Sequence, residues 1–375
     1  MTMSTRLTFL DRLNLAWLDL KSRRRESKRW AQPVSAGKPV RAFYGLEHVP
    51  GASERAGGGI IKYQDLETIY PNTPQGANLV YLTSSALLPG AVYMARRAQA
   101  AGAVLVLNQN GVAYAGWHGR GWQEFNRPMK ALLHRAAYVF YQSEFCKQGA
   151  DRFLGPRQGP HEILYNAVDT QTFVPSGRQA PLQPLTLLLA GTHCHLYRVR
   201  SAVETIAELR RRHVNARLVI AGRNAWRRDA AEAGRELQRQ CQVAGVAAAV
   251  ALPGPYTQKE AVGLLQRADI LLHTKYNDPC PRLAIEAMSC GLPVVYSASG
   301  GMPELVGTDA GIGVPAPLDW EQDHPPDPVP LADAVMAVAE RWVEYSRAAR
   351  DRAVTRFDVQ PWLARHREVF ESLIR

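Results

Sequence analysis

The chain has 375 residues, 46% hydrophobic and 21% charged, which is enough apolar content for one or two domain cores and excludes the disordered class. Its 45 Lys and Arg against 34 Asp and Glu give a net charge of +11, which favours anionic partners without choosing among phosphorylated substrates, anionic lipids and nucleic acid. Five cysteines without a C-x-x-C pair, no long apolar run and no export-type leader predict a cytoplasmic protein without a membrane span.

Residues 1–38 are predicted to form a separate basic, amphipathic segment. Two interpretations stay open for it: a helix lying peripherally on an anionic membrane surface at the inner face, or a helix packed on the protein itself with its basic end in solvent. The apolar residues at helical spacing are Leu7, Leu10, Leu13, Trp17 and Leu20, and the basic residues after them are Lys21, Arg23, Arg24, Arg25, Lys28 and Arg29.

Strand and helix patterns then alternate along the chain, which is typical of an α/β fold with parallel sheets. Residues 39–170 are predicted to form a first Rossmann-like domain, and residues 171–353 a second one. A proline-rich linker is expected where the two meet. Residues 354–375 predict a last helix.

Two predicted loops of the first domain contain residues that suit ligand binding. The triple glycine 57–59 separates a strand from a helix expected at Ile60, and glycines there would let backbone approach a ligand closely. The loop 108–122 is long, polar and aromatic. Its Trp117 would stack on a ligand, and its His118 would bind a ligand or move a proton. The alternatives are a flexible glycine loop and a surface loop whose tryptophans pack into the core.

The stretch 273–307 is predicted to contain a strand end, a tight loop, a helix over Arg282–Ser289 and a second strand, followed by a glycine loop at 299–301. In a parallel sheet such a loop lies at the carboxyl edge of the strands, where ligands bind. The helix that follows presents backbone N–H groups and a partial positive charge, which suit a diphosphate. Because Pro279 and Pro281 lack N–H groups, the candidate donors are those of Cys280, Arg282 and Leu283.

Asp278 and Glu286 frame this loop with seven residues between them. The spacing resembles the E-x7-E motif of family 4 glycosyltransferases of the GT-B fold, with Asp in place of the first Glu. The string at 166–175, NAVDTQTFVP, is similar to the N-G-V-D-x-x-x-F-x-P string that ends the first domain of that family. The plain alternative for the two acids is that they cap and solvate a helix.

The resemblance implies two Rossmann-like domains facing across a cleft, with a nucleotide sugar on the second and an acceptor on the first. It also implies that the last helix, in residues 354–375, crosses back to brace the first domain. Glu286 would hold the ribose hydroxyls, Asp278 would lie near the sugar hydroxyls, and Arg198 would stand where the family has a lysine that reaches the phosphates. Tyr256 would stack on the nucleobase. Further donor-side candidates are Gly191 and Arg223, and the acceptor-side candidates are Gly58, Gly59, Trp117 and His118.

The implied reaction is metal-independent hexose transfer with retention of configuration, from a nucleoside-diphosphate sugar to a saccharide or lipid-linked acceptor in surface polysaccharide or glycolipid synthesis. The sequence carries no D-x-D metal motif, so no cofactor is expected, and no recognition module predicts nucleic-acid binding. The alternatives are a nucleotide-sugar epimerase or phosphorylase of the same architecture, and a catalytically silent protein of polysaccharide assembly. The sugar, the base and the acceptor are not readable from the sequence.

Overall fold

The computed structural model describes residues 9–34, 37, 39–54 and 57–374, with backbone alone for 9–16, 18 and 19. Leu7 of the predicted apolar stripe lies outside the described residues, as do the side chains of Leu10 and Leu13. The chain forms two compact units. The continuous unit comprises residues 166–358, and the split unit comprises the described residues up to 165 together with 359–374. These divisions differ from the boundaries predicted from the sequence, which lie after residues 170 and 353.

The split unit is built on a parallel sheet with strand order β1-β2-β3-β4-β5. Its strands are β1 (Ala42–Phe43), β2 (Leu79–Thr83), β3 (Val104–Gln109), β4 (Tyr138–Tyr141) and β5 (His161–Ile163). Its helices are α1 (Phe9–Arg29), α2 (Gly58–Glu67), α3 (Ala91–Ala100), α4 (Ala115–His118), α5 (Trp122–Leu133), α6 (Glu144–Phe153) and, from the end of the chain, α14 (Val359–Leu373).

The continuous unit holds a second parallel sheet with order β10-β8-β6-β11-β12-β13, beside a small β7-β9 pair. Its strands are β6 (Leu185–Leu189), β7 (Thr192–His193), β8 (Ala216–Ala221), β9 (Arg223–Asn224), β10 (Val250–Gly254), β11 (Ile270–His273), β12 (Val294–Ala298) and β13 (Gly311–Pro315). Its helices are α7 (Leu196–Arg211), α8 (Ala230–Val243), α9 (Gln258–Gln266), α10 (Arg282–Ser289), α11 (Met302–Val306), α12 (Pro328–Glu340) and α13 (Trp342–Arg356).

The central strands of the continuous unit are uninterrupted apolar runs because helices cover both faces of a parallel sheet. Every residue of β6 and β11 is buried. Burial of each such Leu or Ile side chain is worth about 1.5–3 kcal/mol, so these two strands anchor the core. The strand order reverses between β6 and β11, and ligands of doubly wound sheets bind at such a reversal. The fold therefore brings the loops after β6 and β11 together.

The last helix packs into the split unit. His366 of α14 is fully buried, and its Nε2 lies 3.2 Å from the Tyr81 hydroxyl of β2. Arg365 donates to Glu162 at 2.9 Å. Burial lowers the pKa of His366 to about 3, so the imidazole is neutral in the folded unit. Helix α14 therefore belongs to the same core as strands β2 and β4.

Two expectations for the split unit are wrong. Gly58 and Gly59 are the first residues of α2 and not a loop, and Gly59 is buried. A Cβ at Gly59 would come 2.6 Å from the Ser85 hydroxyl, so close packing explains the glycine. The stretch 108–122 is not one long loop either, because it contains the end of β3, the short helix α4 and the start of α5.

Helix α1 is held by contacts at its C-terminal end, whereas two large side chains earlier in the helix are exposed. The Trp30 indole just after the helix donates to buried Glu26 at 3.2 Å, and Ser27 lies 2.7 Å from the Tyr93 hydroxyl of α3. By contrast, Trp17 is 56% exposed and Leu20 is 50% exposed. Within the described residues, no helix combines the length and apolarity needed to cross a membrane.

Candidate functional site

The loop after β11 holds Asp278 inside a small charged cluster. Asp278 is 8% exposed, and its two oxygens have different partners. His273 Nε2 lies 3.0 Å from Oδ2, and Lys275 Nζ donates to Oδ1 at 2.9 Å. Lys275 sits three residues before Asp278 in the loop and remains partly exposed. The acid predicted from the motif is therefore an internally bonded carboxylate at the carboxyl edge of the sheet.

Opposing effects act on the ionisation of this cluster. Burial on its own would raise the pKa of Asp278, but Lys275 and the hydrogen bond from His273 outweigh it and hold that pKa well below its usual range. Burial lowers the pKa of His273, and Asp278 opposes that effect. A neutral His273 that donates through Nε2 beside an ionised Asp278 satisfies both trends.

The backbone at Asp278 is held by the glycine loop after β12. Gly301 N–H donates to the Asp278 carbonyl at 2.9 Å, and the Ser299 hydroxyl accepts the Asn277 N–H at 2.8 Å. Asn277 has a φ of +50°, which asparagine tolerates better than most residues. Gly300 has a φ of +65°, and a Cβ there would lie 2.5 Å from the Asp278 carbonyl oxygen. The predicted glycine loop therefore supports the acid directly.

Helix α10 begins at Arg282 after Pro281, as the sequence predicted. Arg282 and Leu283 are its first residues. The first N–H groups of an α-helix point out of its N-terminal end, because the helix itself offers them no carbonyl four residues earlier. Glu286 lies one turn later and is buried, and Arg282 Nε donates to its Oε1 at 3.1 Å. Because Glu286 is ion-paired within α10, a ligand at this position would meet a paired arginine and carboxylate together.

Arg198 comes from the first turn of α7 and is buried, so it is not a surface arginine. Its Nη2 donates to the Ala190 carbonyl at 2.7 Å and its Nη1 to the Thr192 carbonyl at 2.9 Å. Its Nε is buried without a hydrogen-bond partner in the described part of the chain. Burial lowers the pKa of Arg198, and the neighbouring Asp278 opposes that shift. The guanidinium thus holds the backbone of the loop after β6 and interacts electrostatically with Asp278 in the loop after β11.

Three other predicted donor-side residues occupy the same edge of the sheet. Gly191 lies two residues after the end of β6 and has a φ of +97°. Tyr256 is half-buried, and its pKa is raised by burial and by Glu286 and lowered by Arg198, which places it near both. Arg223 is exposed at the start of β9, where it pairs in register with Thr192. The structure thus brings Tyr256 towards Glu286 and Arg198 and leaves Arg223 facing solvent.

The predicted acceptor-side residues lie in the split unit. His118 ends α4 and is buried, with its ring 4.9 Å from that of Phe125. Burial lowers the pKa of His118. Trp117 is half-buried and its ring lies 6.4 Å from Phe125. These rings form an aromatic cluster within the unit, which matches the alternative of tryptophans packing inward for Trp117.

Sequence reasoning missed a second group of titratable residues beside the cluster. The Tyr197 hydroxyl of α7 accepts the Tyr276 N–H at 3.1 Å. Burial raises the pKa of Asp323 to about 6, while hydrogen bonding to Tyr197 and the charge of Lys275 oppose that shift. Lys275 itself was recognisable only by its spacing three residues before Asp278. Among the residues described here, no group of three or more His, Cys, Asp and Glu side chains is arranged to hold a metal ion.

Comparison with known proteins finds sequence relatives of the continuous unit. Residues 177–322 match the family described as Glycosyl transferases group 1. A glycogen synthase of Mycobacterium tuberculosis is 29% identical over 213 residues, which are 55% of this chain and 47% of that protein. A D-inositol 3-phosphate glycosyltransferase of Corynebacterium jeikeium is 34% identical over 126 residues, which are 32% of this chain and 29% of that protein. The matches therefore span half or less of these relatives.

Solved structures extend the likeness over both units. HepE of Anabaena, in complex with UDP-glucose, has a TM-score of 0.63 at 20% identity, with 79% of each chain covered. Sucrose-phosphate synthase of Thermosynechococcus elongatus has a TM-score of 0.64 at 18% identity, with 83% of this chain and 76% of that chain covered. At such identities the likeness concerns the fold, which is GT-B with two Rossmann-like domains. Residues 177–322 are therefore similar to the glycosyl transferases group 1 family, and the chain has a GT-B fold.

Proposed function

We propose that this protein is a retaining, family 4 type glycosyltransferase that moves a hexose from a nucleoside-diphosphate sugar to a saccharide or lipid-linked acceptor. The observation that carries the proposal is the meeting of Arg198, Asp278 and the Arg282–Glu286 pair at the strand reversal of the continuous unit. The names of the relatives support the substrate class, since they include a glycogen synthase and a putative colanic acid biosynthesis glycosyltransferase. Synthesis of a surface polysaccharide or glycolipid is the proposed role.

The proposed chemistry is displacement at the anomeric carbon. The bond from that carbon to the diphosphate breaks, a bond to the acceptor oxygen forms on the same face, and the departing diphosphate takes the acceptor proton. Negative charge grows on the diphosphate. The N-terminus of α10 and the Arg198 charge would stabilise it as preorganised electrostatics, without a metal. Addition of a chelator should therefore leave transfer unchanged, and loss of transfer that Mg²⁺ restores would contradict this part.

A ligand-binding screen tests the donor site. Purified protein is heated with UDP, GDP, ADP and their sugar conjugates, and one nucleotide family should raise the melting temperature because it binds the folded state. Glu286→Gln keeps the side-chain volume and removes the charge that pairs with Arg282. That variant should lose the shift. The control is Glu340→Gln, which changes an exposed carboxylate at the end of α12 in the same unit. No shift with any nucleotide would contradict the proposal.

A second candidate function is a catalytically silent GT-B protein of polysaccharide assembly. The observation that favours it is that both oxygens of Asp278 already have partners, His273 at the end of β11 and Lys275 in the loop. The two candidates differ in turnover. A silent protein would bind a nucleotide and show neither transfer nor slow donor hydrolysis, and Asp278→Asn would then change no measured rate. An epimerase would convert the donor sugar without any acceptor.

Helix α1 is proposed to hold the protein on an anionic membrane at the cytoplasmic face. Trp17 and Leu20 are exposed, and Lys21 Nζ lies 5.1 Å from the centre of the Trp17 ring. Aromatic and apolar residues beside basic ones suit the headgroup region. Other exposed basic residues of the helix are Arg23, Arg24, Arg25 and Lys28.

Vesicle flotation tests this placement. The protein should float with vesicles rich in phosphatidylglycerol and not with pure phosphatidylcholine, and about 0.5 M salt should release it because screening weakens charge attraction. Trp17→Ala combined with Leu20→Ala should weaken flotation. Leu318→Ala, at an apolar residue 53% exposed in the continuous unit, is the control. Equal flotation of all three proteins would contradict the role of α1.

A further inference from the structure

The segment 166–173, expected to be the end of a domain before a linker, makes direct contact with the loop that leads into α10. Asn166 is 6% exposed, and its Nδ2 donates to the Cys280 carbonyl at 2.6 Å. The two residues are 114 positions apart in the chain. Because a carbonyl can only accept, the amide nitrogen must face Cys280, and the side-chain orientation is defined. Asn166 therefore fixes the short stretch between the two prolines.

The same segment also holds the other end of α10. Ser289, the last residue of the helix, donates through its hydroxyl to the Phe173 carbonyl at 2.7 Å. Arg350 of α13 joins the two segments, since its Nη1 donates to the Ser289 carbonyl at 2.8 Å and to the Phe173 carbonyl at 2.9 Å. Its Nη2 donates to the Thr170 carbonyl at 3.0 Å. The Arg350 side chain thus donates hydrogen bonds to carbonyls both at the end of α10 and in segment 166–173.

A third link involves the start of the helix. Asp169 closes a turn of the segment by accepting from the Gln171 N–H at 2.9 Å and from the Thr172 hydroxyl at 2.6 Å. Burial would raise the pKa of Asp169, but those hydrogen bonds and the charge of Arg282 lower it overall. The segment therefore lies within electrostatic reach of the first residue of α10.

We propose that segment 166–173 is the positioning element of α10, with Asn166 setting the loop from which the helix starts and Arg350 locking the helix end. Every contact is made within the continuous unit. The segment thereby decides where the N–H groups of Arg282 and Leu283 and the carboxylate of Glu286 point. That this orientation governs affinity for a nucleoside diphosphate rests on the proposed function, whereas the positioning itself does not.

Hydrogen exchange on the full chain tests the positioning without any ligand. Asn166→Asp keeps the shape and replaces the donating amide by an oxygen that repels the Cys280 carbonyl, so amides of residues 278–284 should exchange at least several-fold faster. Asn215→Asp adds the same charge at an exposed position of the same unit and is the control. Ser289→Ala is a milder second variant, which removes the hydroxyl contact at the far end of the helix and should speed exchange of its last turn. Unchanged exchange at residues 278–284 in Asn166→Asp and in the last turn of Ser289→Ala would overturn the inference.

Nucleotide affinity then separates positioning from plain stability. For whichever of UDP, GDP or ADP binds the wild type, Asn166→Asp should raise Kd about tenfold while the melting temperature without nucleotide falls by only a few degrees. If the melting temperature of Asn166→Asp falls while its Kd, measured well below the unfolding transition, stays at the wild-type value, Asn166 has only a structural role. That result would overturn the inference. If the wild type binds none of the three, the proposed function fails, and the exchange result alone decides the positioning.

Discussion

The Asp278 carboxylate and the His273 imidazole lie 3.0 Å apart, the one in the loop after β11 and the other as the last residue of that strand. Burial keeps the imidazole neutral, and His273 Nδ1 is buried without a partner in the described part of the chain. Nε2 is therefore the protonated nitrogen. The strand thus orients the acid through its own last side chain, and Lys275 supplies the charge that keeps the acid ionised.

The Lys275–Asp278 pair should be energetically coupled. Lys275→Met removes the charge at similar length, and Asp278→Asn removes the acid. Each change alone should destabilise the continuous unit, because it leaves a partly buried charge without its partner, and the double variant should lose less than the sum by about 1–2 kcal/mol. Chemical denaturation of the four proteins measures this difference. Additive effects would mean that the ion pair contributes nothing.

Asp278 should matter more for turnover than for nucleotide binding. Asp278→Asn keeps the hydrogen-bonding shape and loses the charge, so transfer or donor hydrolysis should fall about 100-fold or more, as when one preorganised group of an active site is removed. The Kd for the nucleotide should change only a few-fold. Asp309→Asn, at an exposed residue of the same unit, is the control. Unchanged transfer in Asp278→Asn would remove the residue from the active site.

Gly300 should not tolerate even a methyl group. Alanine there would place a Cβ 2.5 Å from the Asp278 carbonyl oxygen at a φ of +65°, so Gly300→Ala should destabilise the unit by about 1–3 kcal/mol and lower activity together. Gly234→Ala, in the interior of α8 with open space around it, should instead stabilise the protein by about 0.5–1 kcal/mol. Thermal unfolding compares them. Equal Tm values for the two variants would contradict the close approach.

His366 should make the split unit sensitive to acid. Its pKa is about 3 in the folded state against 6.5 for the free side chain, so the unfolded chain takes up a proton that the folded chain does not. Stability is fully present above pH 6.5 and is lost as the pH falls towards 3, by up to about 1.4 kcal/mol for each pH unit.

His366→Gln should remove this part of the pH dependence. The difference in unfolding free energy between wild type and variant, measured from about pH 4 to 8, cancels the other titrating groups. His48→Gln, at an exposed residue of the split unit, should keep the wild-type slope. Parallel curves for wild type and His366→Gln would contradict the buried, neutral state of the imidazole.

Elements with a strong periodic signal were predicted best. Helix α10 was predicted at Arg282–Ser289, and the glycine loop that supports Asp278 was recognised, because apolar runs, prolines and glycines define such boundaries locally. Helix α5 was missed because Pro128 lies inside it and the aromatic stretch before it reads as a loop. Helix α8 was passed over because its sequence is rich in polar residues.

Only the motif residues of the site could be predicted from the sequence. Asp278 and Glu286 followed from a known spacing, but their partners depend on the fold. Arg198 was expected to face phosphates, yet two of its nitrogens hold backbone carbonyls after β6, which no sequence pattern announces. Burial raises the pKa of Asp323, and its hydrogen bond with Tyr197, more than a hundred positions away, opposes that shift. Contacts between residues so far apart in the chain depend on the order of the strands in the sheet. The periodicity of a single helix or strand does not encode that order.

Because α14 belongs to the split unit, the ribosome makes one part of that unit before the continuous unit and the other part after it. The residues up to 165 emerge first, but the partners of Tyr81 and Glu162 are His366 and Arg365, which are translated after the whole continuous unit. The continuous unit can therefore fold as it emerges, whereas the first half of the chain must wait with an uncovered apolar face. Loss of α14 by early termination or proteolysis would therefore damage the part of the split unit that is translated before the continuous unit.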